Sequence, residues 1–525
     1  MAGKTLVIAE KPSVGMALTK VLGAYSRQEG YAEGSGYIIS WCYGHLAEYA
    51  PPDAYDSRYK KWDFGDLPII PAHWRLQVGR DKSKQFGILK TLFHRKDVEL
   101  AVNACDAGRE GESIFWNVYE MAKAGLPVKR LWISSMEESA IEEGFHTMKD
   151  ASFYQGVRDA ALCRARADWL VGMNATRAFS IKYGTKLLVG RVQSPTLAML
   201  VDRKREMDEF VAEPFYRVTV KGSGISATST DIGDKGCAES LLSRCQRDVP
   251  VISGVEKNSR RENPPKLYDL TALQRAANRH FGYTAKQTLD ILQELYEAKY
   301  VTYPRTDSRF ITSDMEESAG NLVDALSSAI SGIEDGSAAA AALQAASDKK
   351  NVQRIICDSK VSDHHALLPT MESLKKGAGT LSGKLKNIYL LIAVRLAEAV
   401  SEPKVYDETV VQISCANETF KAKGVSLVEP GFSAVTAAFS DLLSNGKSEG
   451  KSQQASEGND TIDGGEGEAI TEDKSTKESI SIINILDSVF EGMPIENHTA
   501  DMSEHFTSPP KAYTEDTLLR AMERA

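Results

Sequence analysis

The sequence predicts a multidomain protein of mixed class, with an α/β domain at its start and helical and β-rich parts after it. The chain has 525 residues, 42% of them apolar and 26% charged, which suffices for several cores and three to four domains. Two β-branched runs, KTLVIAE at 4–10 and VELAVNAC at 98–105, each precede a turn and a helical pattern. Short alternating runs typical of strands lie on both sides of a helical stretch at 260–400.

The alternation of strands and helices in the first 150 residues predicts a parallel sheet. Acidic residues follow the strand ends, where such sheets place their ligand sites. Residues 152–182 and 192–210 carry helical patterns, joined by the glycine-containing loop GTKLLVGRVQSPT.

The alternating runs FYRVTVKG and ETVVQIS predict one β-rich part that is interrupted by an inserted helical segment. Inside the insert, Thr284 begins the amphipathic pattern TAKQTLDILQELYEAK. Residues 445–480 are rich in Gly, Ser, Glu and Lys with little to bury, so we expect a disordered acidic linker there.

The formal net charge of −9 is dominated by this linker, since residues 447–478 hold nine acids and four lysines. A basic groove for nucleic acid elsewhere remains compatible with the sequence. No apolar run is long enough for a membrane span or a signal peptide, which predicts a cytoplasmic protein. Seven cysteines without a C-x-x-C pair disfavour a zinc ribbon and favour free thiols.

The stretch CDAGREGE at 105–112 gathers acids directly after a predicted strand, and Glu10 follows the other early strand. Carboxylates crowded at strand ends need a cation among them, and hard oxygen ligands suit Mg²⁺. Lys11 and Arg109 add positive charge suited to a phosphate. The alternative is a solvated glycine turn with incidental acids. A Walker-type phosphate loop is absent, so an ATP site is not indicated.

The stretch YEAKYVTYPRTDSRF at 296–310 offers Tyr303 as a nucleophile with Arg305 as its electrophilic helper. A phenol ionises with a pKa of about 10 and needs nearby cations to attack at neutral pH. The alternative, which this stretch by itself favours, is that Tyr303 merely packs at a strand end. Tyr296 fits the apolar helix face and Tyr300 is taken as structural.

Nine motifs in order resemble those of type IA DNA topoisomerases, in particular the bacterial topoisomerase III subgroup. They include VIAEKPSVG, ACDAGREGESIFW, RARADWLVGMNATRA, VGRVQSPTLAMLVDRKREMDEF, TYPRTDSR, DHHALLPT and PPKAYTEDTLLRAME, and they run from residue 5 to residue 524.

The resemblance implies a toroidal type IA architecture and divides the chain. The implied parts are a TOPRIM metal and phosphate domain at 1–150, a helical single-strand-binding domain at 151–212, a β-rich arch at 213–258 and 401–444, a helical gate domain at 259–400, the linker, and at 481–525 the end of the arch with the start of the second part of the strand-binding domain. The motifs of the family continue past TEDTLLRAME, so we expect an incomplete toroid.

By the same resemblance, Tyr303 attacks a phosphodiester of single-stranded DNA and leaves a 5′-phosphotyrosine, with Arg305 on the phosphate. Lys11 neutralises the transition state, and Glu10 positions a metal or moves a proton. His364 matches the active-site histidine, although the adjacent His365 leaves this assignment open.

The implied metal ligands are Glu10, Asp106 and Glu110, holding Mg²⁺ as the cofactor. Position 108, where the family has a middle acid, is Gly108, which leaves the choice between one and two ions open. We expect Glu112 to lie nearby as a substitute.

The implied DNA contacts are His45, Arg164, Arg166, Asp168, Asn174, Arg177, Leu188, Val189, Gly190, Arg191, Val192, Gln193 and Ser194. Arginines on a helix are as often a solvated face as a DNA contact, and together these residues predict a salt-dependent groove for one strand.

The implied function is ATP-independent relaxation of negative supercoils or decatenation, by a monomer acting on single-stranded, negatively supercoiled or catenated DNA. Two alternatives stay open. One is a TOPRIM primase or nuclease, and the other is a non-catalytic fragment that binds single-stranded DNA.

Overall fold

The computed structural model describes residues 3–330, 337–348, 350–361, 364–444 and 489–525, so the predicted linker at 445–480 lies outside the described residues. The strands are β1 Lys4–Ala9, β2 Ser26–Gln28, β3 Tyr31–Gly34, β4 Tyr37–Trp41, β5 Ala47–Tyr49, β6 Leu76–Val78, β7 Val98–Ala104, β8 Val128–Arg130, β9 Lys149–Asp150, β10 Pro214–Gly222, β11 Ile225–Thr228, β12 Val251–Glu262, β13 Lys404–Cys415, β14 Glu418–Glu429 and β15 Thr499–Phe506.

The α-helices are α1 Pro12–Val21, α2 Ser83–Phe93, α3 Arg109–Ala122, α4 Glu138–His146, α5 Gln155–Tyr183, α6 Gln193–Asp208, α7 Lys235–Cys245, α8 Leu270–Phe281, α9 Ala285–Glu297, α10 Glu316–Ile330, α11 Ser337–Asp348, α12 Met371–Lys376, α13 Gly383–Val400, α14 Ser433–Ser444 and α15 Glu515–Arg524. No helix in these described ranges is long and apolar enough to cross a membrane.

The first sheet has seven strands in the order β2-β3-β4-β1-β7-β8-β9. Its central strands β4, β1, β7 and β8 are parallel, as the alternating pattern predicts, and antiparallel strands form both edges. Strand β1 is buried on both faces, with Val7 and Ala9 in one core and Leu6 and Ile8 in another. Near-continuous apolar sequence is the usual signature of such a central parallel strand.

The second sheet has six strands in the order β12-β13-β14-β11-β10-β15. The chain leaves it after β12 and returns at β13, which pairs with β12 along nearly its whole length. The segment between these strands, 263–403, is mainly helical. The domain boundaries given above remain a prediction.

Helix α9 starts where the sequence places it. The Thr284 hydroxyl accepts a hydrogen bond from Gln287 N, and the Gln287 side chain accepts one from Thr284 N. This reciprocal cap satisfies two backbone donors at the helix start. Helix α9 then packs Leu292, Leu295 and Tyr296 into a core that also contains Val7 of β1, so the inserted helices and the first sheet share one apolar interior.

Candidate active site and nucleic-acid interface

Two acids meet at the carboxyl edge of the first sheet. Strands β1 and β7 are parallel neighbours, so Glu10 and Asp106, which follow them, leave the sheet side by side. Asp106 N donates to Glu10 Oε2 at 3.3 Å. Gly44 N donates to the Glu10 carbonyl at 3.2 Å, which brings the turn after β4, and with it His45, to the same edge.

The loop that carries Asp106 is held from below by Arg130. This side chain is 1% exposed, and its guanidinium donates to the carbonyls of Cys105 at 2.7 Å and Asp106 at 2.7 Å. Helix α3 approaches the same loop so closely that a Cβ on Gly111 would lie 2.0 Å from the Asp106 carbonyl oxygen. The position of Asp106 therefore depends on an arginine and a glycine outside the acid pattern.

Gly108 has a backbone conformation that side chains rarely adopt, with φ of +146°. An acid at this position, as in the family motif, would strain the backbone. The absence of a middle acid thus agrees with the local geometry of this chain.

The expectation that Glu112 compensates for Gly108 is wrong. Glu112 is 1% exposed and points into the core, where it accepts hydrogen bonds from Arg130 Nε at 2.6 Å, Asn103 Nδ2 at 3.0 Å and Trp116 Nε1 at 2.8 Å. Its first-turn position on α3 faces inward, away from the sheet edge that holds Asp106.

Tyr303 lies against this acidic edge, although it belongs to the inserted helical segment. Its backbone N donates to the Ser134 carbonyl at 2.9 Å, and its hydroxyl interacts electrostatically with the Asp106 carboxylate. The Tyr296 ring packs edge-on at 5.6 Å between centroids. The side chain is therefore fixed between the two parts of the molecule and is 6% exposed.

His364, and not His365, is brought to Tyr303. Their ring centroids lie 4.2 Å apart. The Nε2 atom of His364 faces the Ala107 carbonyl, which makes it the donor, and Nδ1 lies 2.9 Å from the Ser134 hydroxyl. Burial lowers the pKa of His364 to about 4, so its imidazole is neutral at pH 7. His365 is turned to its neighbouring Ala366 carbonyl.

Burial and mutual repulsion set the charges of the acids. Burial, followed by repulsion from Asp106, raises the pKa of Glu10 to about 7. Burial also raises the pKa of Asp106 above its ordinary value. The pKa of the Tyr303 hydroxyl is raised well above 10 by burial and by these carboxylates. The positive charge near Glu10 and Asp106 is thus too small to balance two ionised carboxylates.

Glu110 is placed differently. Its carboxylate contacts the Arg305 guanidinium and lies 3.7 Å from His45 Nε2, and these partners lower its pKa to about 2. Lys11 Nζ lies 3.6 Å from Glu297 Oε1 at the end of α9. Both Arg305 and Lys11 therefore face acids from the opposite part of the molecule.

These positions bear on metal binding. Among the residues that the structure describes, no three His, Cys, Asp or Glu side chains converge as a ready metal site. Glu10 and Asp106 fit one hard cation, since they are adjacent, oxygen-bearing and undercompensated. Glu110 does not join them while it contacts Arg305.

The loop between α5 and α6 forms the candidate nucleic-acid surface. Arg164, Leu188, Arg191, Val192 and Gln193 are exposed, while Val189, Gly190 and Ser194 are half-buried. Arg191 Nε pairs with Asp168 Oδ1 at 2.7 Å. Thr176 Oγ1 accepts from Val189 N at 3.0 Å and fixes the loop on α5.

Three predicted DNA contacts are engaged inside the protein. Asn174 accepts from Ile69 N at 2.7 Å and donates to the Ile69 carbonyl at 3.0 Å. Arg177 is buried and donates to the Tyr59 carbonyl at 2.8 Å. Arg166 lies half-buried over the Trp74 ring. Asn174 and Arg177 therefore leave the set of residues that we propose to touch DNA.

Fold and site together define an α/β protein in which an acidic sheet edge is closed by a tyrosine on an inserted helical segment. The Toprim domain family matches residues 5–136, and the family described as DNA topoisomerase matches residues 152–525. The chain belongs to the DNA topoisomerase family. Toprim domains bind divalent metal ions, which agrees with the charge at Glu10 and Asp106.

Two relatives illustrate the similarity. DNA topoisomerase 3 of Bacillus subtilis is 41% identical over 441 residues, covering 82% of this chain and 59% of the relative. DNA topoisomerase 3 of Shouchella clausii is 38% identical over 530 residues, covering 99% and 66%. This chain thus spans less than two thirds of the length of these relatives.

A solved structure shares the fold. Full-length topoisomerase I from Thermotoga maritima matches with a TM-score of 0.67 at 22% identity, over 99% of this chain and 75% of that one. The mixed architecture predicted from the sequence is confirmed.

Sequence reasoning missed the residues that join the two halves of the site. Arg130 and Ser134 lie in and just after β8, in the run RLWISS, which carries no acid or nucleophile pattern. Strand β8 is Val-Lys-Arg, and the alternation of a strand places Arg130 on the same face as Val128; this was the available signal for Arg130, because a buried charge requires partners.

Proposed function

We propose that this chain is a type IA DNA topoisomerase that cleaves one DNA strand through Tyr303 and reseals it without ATP. The observation that carries the proposal is the position of Tyr303, a buried tyrosine whose hydroxyl interacts with the Asp106 and Glu10 carboxylates at the acidic edge. A tyrosine that only fills an apolar core would not be expected to lie against two carboxylates that lack sufficient positive charge nearby.

In the cleavage step, the Tyr303 oxygen attacks phosphorus and gives its proton to the Asp106 carboxylate. The bond from phosphorus to the 3′-oxygen breaks, and Glu10 protonates that oxygen. The pKa of Glu10, about 7, suits this exchange, since an acid works best near the ambient pH. Religation is the reverse: the 3′-hydroxyl returns its proton to Glu10, attacks the phosphotyrosine and releases Tyr303.

Arg305 and Lys11 supply positive charge to the scissile phosphate once Arg305 has left Glu110 and Lys11 has left Glu297. A single preorganised donor of this kind contributes ~3 kcal/mol. His364 is neutral and holds the Tyr303 ring in place through a tilted ring contact with centroids 4.2 Å apart. When deprotonated, Glu10 and Asp106 would instead hold Mg²⁺, which would then supply charge neutralisation at the phosphate in place of their protons.

The proposed substrates are single-stranded DNA and negatively supercoiled or catenated duplexes, handled by a cytoplasmic monomer. The exposed loop at 188–194 with Arg164 and Asp168 is the proposed path of the strand. Strand passage through the opened interface follows from the 5′-phosphotyrosine, which stores the bond energy and removes the need for a nucleotide.

The test uses one single-stranded oligonucleotide labelled at its 5′ or its 3′ end. Each form is incubated with the chain, with Tyr303→Phe and with Tyr300→Phe, with and without Mg²⁺, and stopped with denaturant. Transfer of only the 3′ label to protein, lost in Tyr303→Phe and kept in Tyr300→Phe, is expected. Binding without an adduct would instead assign the chain to non-catalytic single-strand binding. Fragments with free ends and no adduct would assign it to a nuclease.

A further inference from the structure

A cavity of about 290 Å³ lies where the six-stranded sheet joins the inserted segment. We name it the hinge cavity. It is lined by Arg261, Asn263, Pro264, Pro265, Lys266, Arg309, Phe310, Arg354, Ile355, Ala399 and Pro403. Arg261 lies at the end of β12, residues 263–266 follow that strand, and residues 399–403 precede β13, so both connections between sheet and insert contribute to its wall.

The lining is strongly cationic. Arg261, Lys266, Arg309 and Arg354 are positive, and none of the described lining residues is acidic. The acids that pair with two of them lie outside the lining: Asp269 and Glu523 contact Arg309 at 2.6 and 3.7 Å, and both Glu402 oxygens contact Arg354 at 3.0 Å. These pairs orient the two arginines and leave the wall itself without negative charge.

An aromatic ring stands among these charges. The Phe310 ring has Lys266 Nζ at 5.8 Å and Lys360 Nζ at 5.0 Å from its centroid. The backbone of Phe310 is fixed by Ser308, whose hydroxyl bonds to the carbonyls of Phe310 at 3.1 Å and Lys360 at 2.9 Å. The half-buried ring is thus held in place with lysine ammonium groups over it, and these lysines can turn from the ring to a phosphate when a base takes their place.

We propose that the hinge cavity binds a nucleotide unit of a single DNA strand, separately from the site at Tyr303. Interleaved cations and an aromatic face match the phosphates and bases of single-stranded nucleic acid, and the volume suits one nucleotide rather than a duplex. An acidic protein segment would form ion pairs with the cations, but its carboxylates would not stack on the Phe310 ring. The inference rests on the proposed function in that DNA is the ligand.

Occupancy of this cavity connects to the catalytic segment. Phe310 lies seven residues after Tyr303, and Thr306 between them donates to the His364 carbonyl at 3.2 Å. A strand bound at the hinge would therefore contact both connections to the sheet and the segment that carries the nucleophile.

The test measures cross-linking and binding with oligonucleotides that carry one 5-iodouracil at successive positions. The chain with Tyr303→Phe is irradiated with each, and the linked peptides are identified by mass spectrometry. We expect one cross-link at Phe310 and others near 188–194. Phe310→Leu, which keeps an apolar side chain, should lower the hinge yield at least fivefold and leave the other yield unchanged.

The charges are tested by Arg261→Ser with Lys266→Ser. The matched control is Arg27→Ser with Lys96→Ser, which removes two exposed cations of the first sheet, one in β2 and one just before β7. Loss of two phosphate contacts should reduce the slope of log affinity against log salt by about 1.4 and weaken binding about tenfold at 0.15 M salt. The control pair should change neither. Circular dichroism and melting curves establish that each variant folds.

The outcomes separate this inference from the proposed function. Cross-links confined to 188–194, an unchanged salt slope, or charge-dependent binding indifferent to Phe310 would overturn the hinge assignment while adduct formation at Tyr303 persisted. Failure of the unsubstituted chain to bind any oligonucleotide would overturn both.

Discussion

Arg130 and Glu112 form a fully buried ion pair directly beneath the acidic edge. Arg130 Nε lies 2.6 Å from Glu112 Oε1, and each side chain is 1% exposed. Because Arg130 also donates to the Asp106 and Cys105 carbonyls, this pair links the core of the first sheet to the loop of the candidate active site.

Replacement of Arg130 by Met should destabilise the chain by about 3–5 kcal/mol, since it leaves the Glu112 carboxylate buried and unpaired. The double variant Arg130→Met with Glu112→Leu should recover part of this loss. Lys84→Met, which breaks the exposed pair with Glu29, should cost at most about 1 kcal/mol. Thermal unfolding measures all three, and equal losses for Arg130→Met and Lys84→Met would contradict the assignment.

Gly108→Asp should lower stability by roughly 1–3 kcal/mol, because the residue at 108 has φ of +146°. Placing the acid of the family motif at position 108 is thus expected to destabilise the fold. Gly125→Asp is the matched control, since a Cβ there meets nothing within 4 Å and its φ is ordinary. Melting curves that coincide for the two variants would remove the backbone argument.

Glu10→Gln should stabilise the chain in a pH-dependent way. The folded pKa of Glu10 is about 7 against an ordinary 4.5, so the folded state binds the proton more tightly. The free energy of unfolding therefore falls as pH rises from 4.5 to 7. The gain from Glu10→Gln should be near zero at pH 4.5 and about 3 kcal/mol at pH 8.

The measurement for Glu10 is the melting temperature across pH 4.5 to 8 in EDTA. Glu142→Gln on the exposed side of α4 provides the control and should show no such trend. A gain that is equal at both ends of the range would show that Glu10 is not held in its protonated form.

Glu110→Gln should tighten oligonucleotide binding about two- to fivefold in EDTA. The Glu110 carboxylate contacts Arg305 and competes with a DNA phosphate for it, and an exposed pair of this kind is worth up to about 1 kcal/mol. Fluorescence anisotropy measures the affinity. Glu120→Gln, which frees Arg158 instead, should leave it unchanged. Weaker binding by Glu110→Gln would mean that Arg305 does not meet the phosphate.

Arg191→Ala should change the salt dependence of DNA binding, whereas Asn174→Ala should change the stability of the fold. The former removes a proposed phosphate contact and should lower the salt slope by about 0.7. The latter leaves Ile69 N and its carbonyl without their partner and should cost about 1–3 kcal/mol of stability with the slope retained. An altered slope in Asn174→Ala, at full stability, would return this residue to the DNA surface.

The sequence predicted the features that local pattern determines. Strand β1 follows from a β-branched run and the start of α9 at Thr284 from an amphipathic pattern, whereas the Thr284–Gln287 cap was found only in the structure. Glu10 and Asp106 could be placed together because parallel strands end at one edge. Tyr303 and Arg305 were indicated as candidates by residue type, and their roles came from the resemblance to the family.

The sequence did not reveal those roles that depend on the direction in which a side chain points. Glu112 and Glu110 are two residues apart on α3, yet one enters the core and the other faces Arg305. His364 and His365 are adjacent, and they are distinguished by the contacts of His364 with Tyr303 and with Ser134, 230 residues away. Asn174 and Arg177 resemble groove residues in sequence, but their partners lie more than 100 residues earlier.

The order of strands in the second sheet has a consequence for synthesis of the chain. Strand β15 pairs with β10 along eight residues, and Tyr216 of β10 bonds to Glu504, 288 residues later. At a synthesis rate of 5–20 residues per second, one edge of β10 stays unpaired for roughly 15–60 s before β15 has been made. An unpaired edge is a template for association with other chains, so this protein should depend on chaperones during translation. Nascent chains arrested at residue 498 should self-associate more than chains extended through 507.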